Sequence, residues 1–375
     1  MIQRAFTNFT RRAHLPTRTP LKHLGLQRFF TLNTEVVQTI PNSKITEFSY
    51  GQNSTLHLKM GSTYTNTVIQ ALWEDLTRVE IEEANPCEIK DAGKDIYITS
   101  NEQNSEANAR PLRLMIPEYS SLDLEILGNA TQEDTQIDAK MKGSLRVKSL
   151  DENPGSKIEF RRVKTELSEI ELAASDLVFG SYWETKDGYL KKTGPGKVEI
   201  KRLGVSFDLS VELDNCDFSA KTSFTNAVES IAEDYQRLQI KANGSNINFG
   251  IYRGSAGFQL KDSSLKFSEG NFDGLRVNAE NSKVEIYFNE ISGKCFFDLK
   301  NCDVKFKVNP AIKDRFEAYG IWVVFDGKED AGYGLEAMKE FGGNQVSVEY
   351  QESNENLFGY LMSKYNIDKD KYAGK

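Results

Sequence analysis

Histidine, cysteine, phosphate-binding glycines and paired carboxylates carry most hydrolytic, redox and metal chemistry, and each has a pattern that the chemistry requires. The three histidines are His14, His23 and His57. Two fall in the first 30 residues, so the remainder holds one imidazole, too few for a Ser-His-Asp relay or a multi-histidine metal site. His57 alternates with apolar neighbours in Thr55-Leu56-His57-Leu58, which turns it to solvent on a strand. The four cysteines, Cys87, Cys216, Cys295 and Cys302, form no C-x-x-C pair and read as small buried hydrophobes. Cys295 and Cys302 fall in neighbouring predicted strands, so a redox pair stays open for those two.

Gly194-Pro195-Gly196-Lys197-Val198 has the outline of a phosphate loop but fails its chemistry. Lys191 stands where the first glycine belongs, and Val198 replaces the hydroxyl that would hold magnesium, so a plain turn is the reading. Glu80 and Glu82, and Glu169 and Glu171, each share one strand face and could line a groove, as glycoside hydrolysis would require. Both pairs alternate with Ile or Leu, the pattern of a solvated face. Trp183 and Tyr189, with Lys186 and Asp187, fall in a predicted loop and suit a contact site. No catalytic, cofactor-binding or metal-ligating residue is assigned.

The elements that must position these residues are strands. Hydrophobic residues make up 39% of the 375, and the longest apolar run, Ile321 to Phe325, is strand-sized, far below the ~20 residues of a membrane helix. From about Ser54 to Val308, short alternating segments are separated by Gly, Asn, Asp and Ser, the residues that turns favour. The longest alternation is Val205, Phe207, Leu209, Val211 and Leu213. Leu238, Phe258, Val277 and Phe297 are separated by 20, 19 and 20 residues, and Phe249, Phe267, Ile286 and Phe306 by 18, 19 and 20. Two strands recurring every ~20 residues mark a solenoid rung, which buries its apolar face by stacking on the next. A sandwich has strands at similar spacing but no reason to keep the paired period.

The reading is therefore all-β, a single-stack β-solenoid with short helical insertions and terminal caps. Short helices are predicted at Thr67–Leu76, from Asn226 through Tyr235, and as one turn at Leu335–Phe341. Ile321–Phe325 and Val346–Tyr350 read as closing strands, with the apolar segment Leu357–Met362 after them. The divisions are 31–110 for an N-terminal cap and leading strands, 111–310 for the solenoid, and 311–375 for capping strands and tail.

Residues 1–30 form a separate segment. They contain Arg4, Arg11, Arg12, Arg18, Lys22 and Arg28, and the first acidic residue is Glu35. Ile2, Phe6 and Phe9 share a helical face that Pro16 would end. This is the composition of a mitochondrial transit peptide, with Arg28-Phe29-Phe30 before a cut near Thr31. Without these six charges the formal −8 becomes −14. An acidic body suits nucleic acid poorly, since that affinity comes from Lys and Arg on phosphates.

The stretch from Leu112 to Tyr350 resembles the "putative adhesin" β-solenoid domain family, most of all its mitochondrial members in animal cells. The residues that carry the likeness are Leu112-Arg113-Leu114-Met115-Ile116-Pro117, Leu122-Asp123-Leu124-Glu125-Ile126 and Gly143-Ser144-Leu145-Arg146-Val147. The last rung and exit resemble Gly293 through Leu299 and Val304 through Pro310. Asn301 and Asp303 stand where the family's turns favour glycine, and Asp151 to Lys192 reads as longer loops than the family has. The resemblance implies the fold and carries no catalytic residues. The expectation is a non-catalytic structural or interaction protein of the mitochondrial matrix, with protein partners, no nucleic acid and no transmembrane segment. The alternative is a carbohydrate-active hydrolase or lyase built on carboxylate rows.

Overall fold

Period-two alternation becomes a stack of parallel strands. The computed structural model describes residues 143–150, 157–225, 236–317 and 343–351 continuously, with the strands between 44 and 138 and between 321 and 333. All lie in the unit Ile40–Lys375. It is an all-β solenoid of about 8 turns. Among the described residues, helix is one short passage that opens with the 3-10 turn Pro310–Ile312, where the Asn309 side chain accepts from the Ala311 amide at 3.0 Å.

Nine short strands precede the regular stack: β1 (Lys44–Ser49), β2 (Thr55–Met60), β3 (Thr67–Leu72), β4 (Arg78–Glu83), β5 (Cys87–Asp91), β6 (Asp95–Ser100), β7 (Leu112–Pro117), β8 (Ser121–Ile126) and β9 (Thr135–Asp138). They do not stack in chain order. β2 pairs in parallel with β6 on one side and β8 on the other, and β3 does the same with β7 and β9. The chain lays down an inner layer first, doubles back to place β6 and β7 outside it, then crosses to β8 and β9. The antiparallel pairs β1–β4, β4–β7 and β5–β6 belong to the doubling back.

The helix predicted at Thr67–Leu76 is instead strand as far as Leu72. Thr67, Val68 and Ile69 are consecutive β-branched residues, which favour extended backbone. Two parallel neighbours then satisfy the peptide groups of the segment, and the four-residue spacing of Val68 and Leu72 is incidental. Residues 73–77 lie outside the described residues.

The regular stack comprises β10 (Ser144–Ser149), β11 (Lys157–Leu172), β12 (Asp176–Thr193), β13 (Lys197–Asp214), β14 (Asp217–Thr225), β15 (Leu238–Asn243), β16 (Asn246–Lys261), β17 (Ser264–Glu280), β18 (Lys283–Ile291), β19 (Cys295–Lys300) and β20 (Asp303–Val308). The long strands bend and so serve several faces of one turn. β16 pairs with β17 in three pieces, beginning at Asn246↔Ser264, Ile251↔Glu269 and Ser255↔Gly274. Each turn thus has three short faces, joined by one tight turn and two bends, and here the register slips by one residue at the second bend, between Gly254 and Ser255. The long loops expected between Asp151 and Lys192 are strands from Lys157 onward. Their many charged residues, such as Lys164, Glu166, Glu169 and Glu171, occupy outward positions rather than marking a loop.

β21 (Ile321–Phe325) and β23 (Gln345–Tyr350) continue the stack in parallel on β19 and β20, with β22 (Lys328–Tyr333) antiparallel to β21. Both strands predicted after Pro310 are therefore present. The helical segments predicted in 226–235 and 335–341, the segment 357–362 and residues 1–30 lie outside the described residues.

The core consists of columns of side chains at equal depth in successive rungs. One runs Phe160, Phe179, Ile200, Ala220, Phe249, Phe267, Ile286 and Phe306, each in register with the next and each at most 3% exposed. Phe249 and Phe267 stack with centroids 4.9 Å apart, close to the ~4.8 Å strand spacing. The second column runs Ile240, Phe258, Val277 and Phe297. Leu238, placed in that column from its 20-residue spacing, pairs with Ala256 instead, two residues along the same inward face. Phe207 is a further correction: it is 50% exposed. Thr185 pairs with Val205 and Asp187 with Asp208, so one extra residue bulges at the corner and turns Phe207 outward, while Val205 and Leu209 on either side stay buried.

Candidate functional site

The tight turn of each rung explains the scattered Asn and Asp residues. Asn215, Asp262, Asn281 and Asn301 have φ between 50° and 53°, and Gly244 and Gly343 occupy the same place with φ 59° and 68°. Only Gly, Asn and Asp adopt this left-handed region cheaply. The next residue of each turn points inward and joins the rungs: Cys216 N donates to Ser245 Oγ (3.2 Å), Ser245 N to Ser263 Oγ (3.2 Å), and Ser263 N to Ser282 Oγ (3.1 Å). The hydroxyls in turn donate to carbonyls two residues back, as Ser263 Oγ does to Lys261 O at 2.6 Å. These nucleophilic side chains are committed to the turn ladder.

The cysteines follow the same rule. Cys216, Cys295 and Cys302 are free thiols and buried. Burial pushes all three thiols up, Cys295 to about 12, which keeps them protonated and unreactive. Cys295 opens β19 and Cys302 lies in the turn past its far end, so the length of the strand, about 16 Å, separates the possible redox pair. Cys87 lies in β5, of whose side chains nothing further is described.

On the outer side the ladder organises charge. The register of β2, β8, β10, β11, β12, β13 and β15 gives a column Lys59, Glu125, Lys148, Glu171, Lys191, Glu212 and Lys241, alternating in sign at every rung. Lys59 and Glu125 are 3.6 Å apart, and in the neighbouring column Arg146 and Glu169 are 3.8 Å apart. Exposed pairs of this kind add little each, but a one-rung error would oppose like charges. Glu169 and Glu171 are thus solvated, Glu171 between Lys148 and Lys191 and Glu169 between Arg146 and Tyr189. Glu80 and Glu82 lie on β4, which pairs antiparallel with β1 and β7.

His57 stands at the crossing of the N-terminal layers. Its ring stacks on Tyr97 of β6 (4.4 Å, 5° between planes) and its Nδ1 is 3.1 Å from Asp123 Oδ2 of β8. It faces outward as predicted, and it clasps three strands rather than standing free. Trp183 overturns its reading as a loop contact: it lies in β12 and is 0% exposed. It stacks on Phe179 at 4.7 Å, and its Nε1 donates to Ser168 Oγ at 3.2 Å. Tyr189, six residues on and of opposite parity across the bend, faces outward and donates to Glu212 at 3.2 Å. Gly194-Pro195-Gly196 is a turn, with φ of 77° and 120° at its glycines.

The sequence reading missed Lys192. It is fully buried, in register with Leu172 below and Leu213 above. Its ammonium donates to the carbonyls of Ala173, Pro195 (3.0 Å) and Gly194 (3.4 Å). The turns here, residues 173–175 and 194–196, are one residue longer than the later ones, such as 262–263, and carry an extra carbonyl to satisfy. Burial lowers the Lys192 pKa, while Cys216 and Asp176 act in the opposite sense. Parity was the available signal, since Lys192 follows Leu190 by two.

The outer faces of β12, β13, β15, β16, β17 and β19 form a shallow groove of about 830 Å³. Lys191, Glu212, Lys241, Lys261, Asn278 and Glu280 are among its walls. Among the described residues no three His, Cys, Asp or Glu side chains are grouped to hold a metal ion, and no helix is long and apolar enough to cross a membrane.

No protein-family model matches the chain, and no curated protein matches it. Solved structures similar to it include the following two. A "putative cell adhesion protein" from Clostridium sporogenes is 12% identical with a TM-score of 0.27, over 58% of this chain and 100% of that one. A "putative adhesin" from Bacteroides fragilis is 9% identical with a TM-score of 0.32, over 65% of this chain and 95% of that one.

Proposed function

We propose that the protein is a non-catalytic interaction solenoid of mitochondria, in the matrix, working by contact with protein partners. The observation that carries this reading is the commitment of its reactive side chains to structure. The thiols of Cys216, Cys295 and Cys302 are buried and held protonated, the turn serines bond the rungs to each other, and the Lys192 ammonium is spent on turn carbonyls. Outward carboxylates meet cations across the rungs, which disfavours a bare carboxylate row for cutting a glycan. A solenoid offers long lateral faces, which suits docking.

The mitochondrial part of the proposal rests on the basic, acid-free residues 1–30. Replacing Arg11, Arg12 and Arg28 by Glu should abolish import, and unchanged delivery would refute the address. For the contact role, the mature protein extracted gently from mitochondria should migrate with a larger assembly on native sizing. A monomer that turns over a glycan or small molecule would overturn it.

A further inference from the structure

We propose that the groove across β12 to β19 docks an extended acidic segment of the protein partner, an inference that rests on the contact role above. The alternating column stops inside this groove. After Lys241 the next two rungs carry Gln259 and Asn278, so the alternation of charge gives way to carboxamides before Asp298 on β19.

The four acids of the groove, Glu212, Asp214, Glu280 and Asp298, all interact within the chain already. Glu212 accepts from the Tyr189 hydroxyl at 3.2 Å. Asp214 accepts from the side-chain amides of Asn215 (3.1 Å) and Asn243 (2.9 Å). Glu280 pairs with Lys300 at 3.4 Å. By contrast, Lys191, Lys241 and Lys261 are exposed and make no ion pair among the described residues. The surface offers ammonium groups whose in-chain partners are taken.

The spacing suits an extended chain. Lys191 and Lys241 are two rungs apart, about 10 Å, and Lys261 lies one rung and two residues beyond Lys241, about 8 Å. Side chains on one side of an extended peptide recur every ~7 Å, so successive carboxylates can reach successive lysines. Gln259 and Asn278 each bring both a donor and an acceptor for its peptide groups. A polyphosphate backbone fits less well, because a phosphate on every residue would also meet Glu212, Asp214, Glu280 and Asp298. A peptide can set neutral residues opposite those acids.

The test uses the full chain and a short fluorescent peptide of alternating Glu and Gly. Saturable binding is expected at low salt, weakening as salt screens it. Lys241→Glu with Lys261→Glu should lower the affinity roughly tenfold or more, while Lys266→Glu on another face leaves it unchanged. Matching urea midpoints would show that the variants fold. No saturable binding, equal loss in Lys266→Glu, or tighter binding of polyuridylate would overturn the groove. A native assembly that survives the double substitution, with no peptide bound, would reject the groove and keep the contact role. Peptide binding through these lysines by a chain that leaves mitochondria as a monomer would do the reverse.

Discussion

Phe297 illustrates how much a single inward side chain contributes. It is 0% exposed, lies between Val277 and Val323 in register, and meets Phe306 at 5.3 Å. Phe297→Ala should destabilise the protein by about 3–5 kcal/mol, read as a fall in the urea midpoint with the slope unchanged. A loss below 1 kcal/mol would mean the column is not packed as described. Lys192 is the opposite case, an ionised group kept in the core. Its folded pKa lies below the unfolded value of about 10.4, so between the two the unfolded chain binds more protons. Stability attributable to Lys192 therefore rises with pH up to the unfolded pKa. Urea titrations of wild type and Lys192→Met from pH 7 to 10.5 should show the difference moving in favour of wild type as pH rises. A flat difference would exclude a lowered pKa.

At the scale of elements, the tight turn and the bend do different work. The turn fixes where one face ends, and its left-handed residue is the constraint. Asn281 has φ 50° and is exposed, so its conformation matters more than its packing. Asn281→Gly should be nearly neutral, whereas Asn281→Ala should cost about 1–2 kcal/mol in chemical denaturation. Equal costs would point to the Asn301–Asn281 contact at 3.4 Å instead. Bends, by contrast, carry no fixed residue type. Some of them slip the register, and the slip beside Thr185 and Asp187 puts Phe207 outside, where the Arg237 guanidinium lies 5.7 Å from its ring.

For the whole solenoid, stability accumulates between neighbouring rungs, and each end is an edge that must be covered. At the N-terminal end the chain does this by doubling back, so that β2 is sandwiched between β6 and β8 and His57 holds both. At the other end β21 and β23 cover β19 and β20. A chain stopped after Phe316 would bare two strand edges and the aromatic column ending in Phe306. It should form high-molecular-weight species on sizing at concentrations where the full chain does not. An equally well-behaved truncated chain would show that β21 to β23 are dispensable as a cover.

The amino-acid sequence by itself determined the class of fold and the repeat. Alternation fixes which residues face in, and the ~20-residue period fixes that rungs stack, because both follow from local strand geometry. The columns Phe258, Val277, Phe297 and Phe267, Ile286, Phe306 were legible for that reason. Three things needed the tertiary structure. Leu238 and Phe207 depend on register, which a single extra residue at a bend shifts without any compositional mark. Thr67–Leu76 depends on partners supplied from β7 and β9, remote in sequence, that override a helical spacing. Trp183 sits near charged residues in sequence and Lys192 is charged itself, yet the core takes both because Ser168 and the turn carbonyls supply the hydrogen bonds their burial requires. The groove itself is written in no segment: Lys191, Lys241 and Lys261 become neighbours only when the rungs are laid on one another.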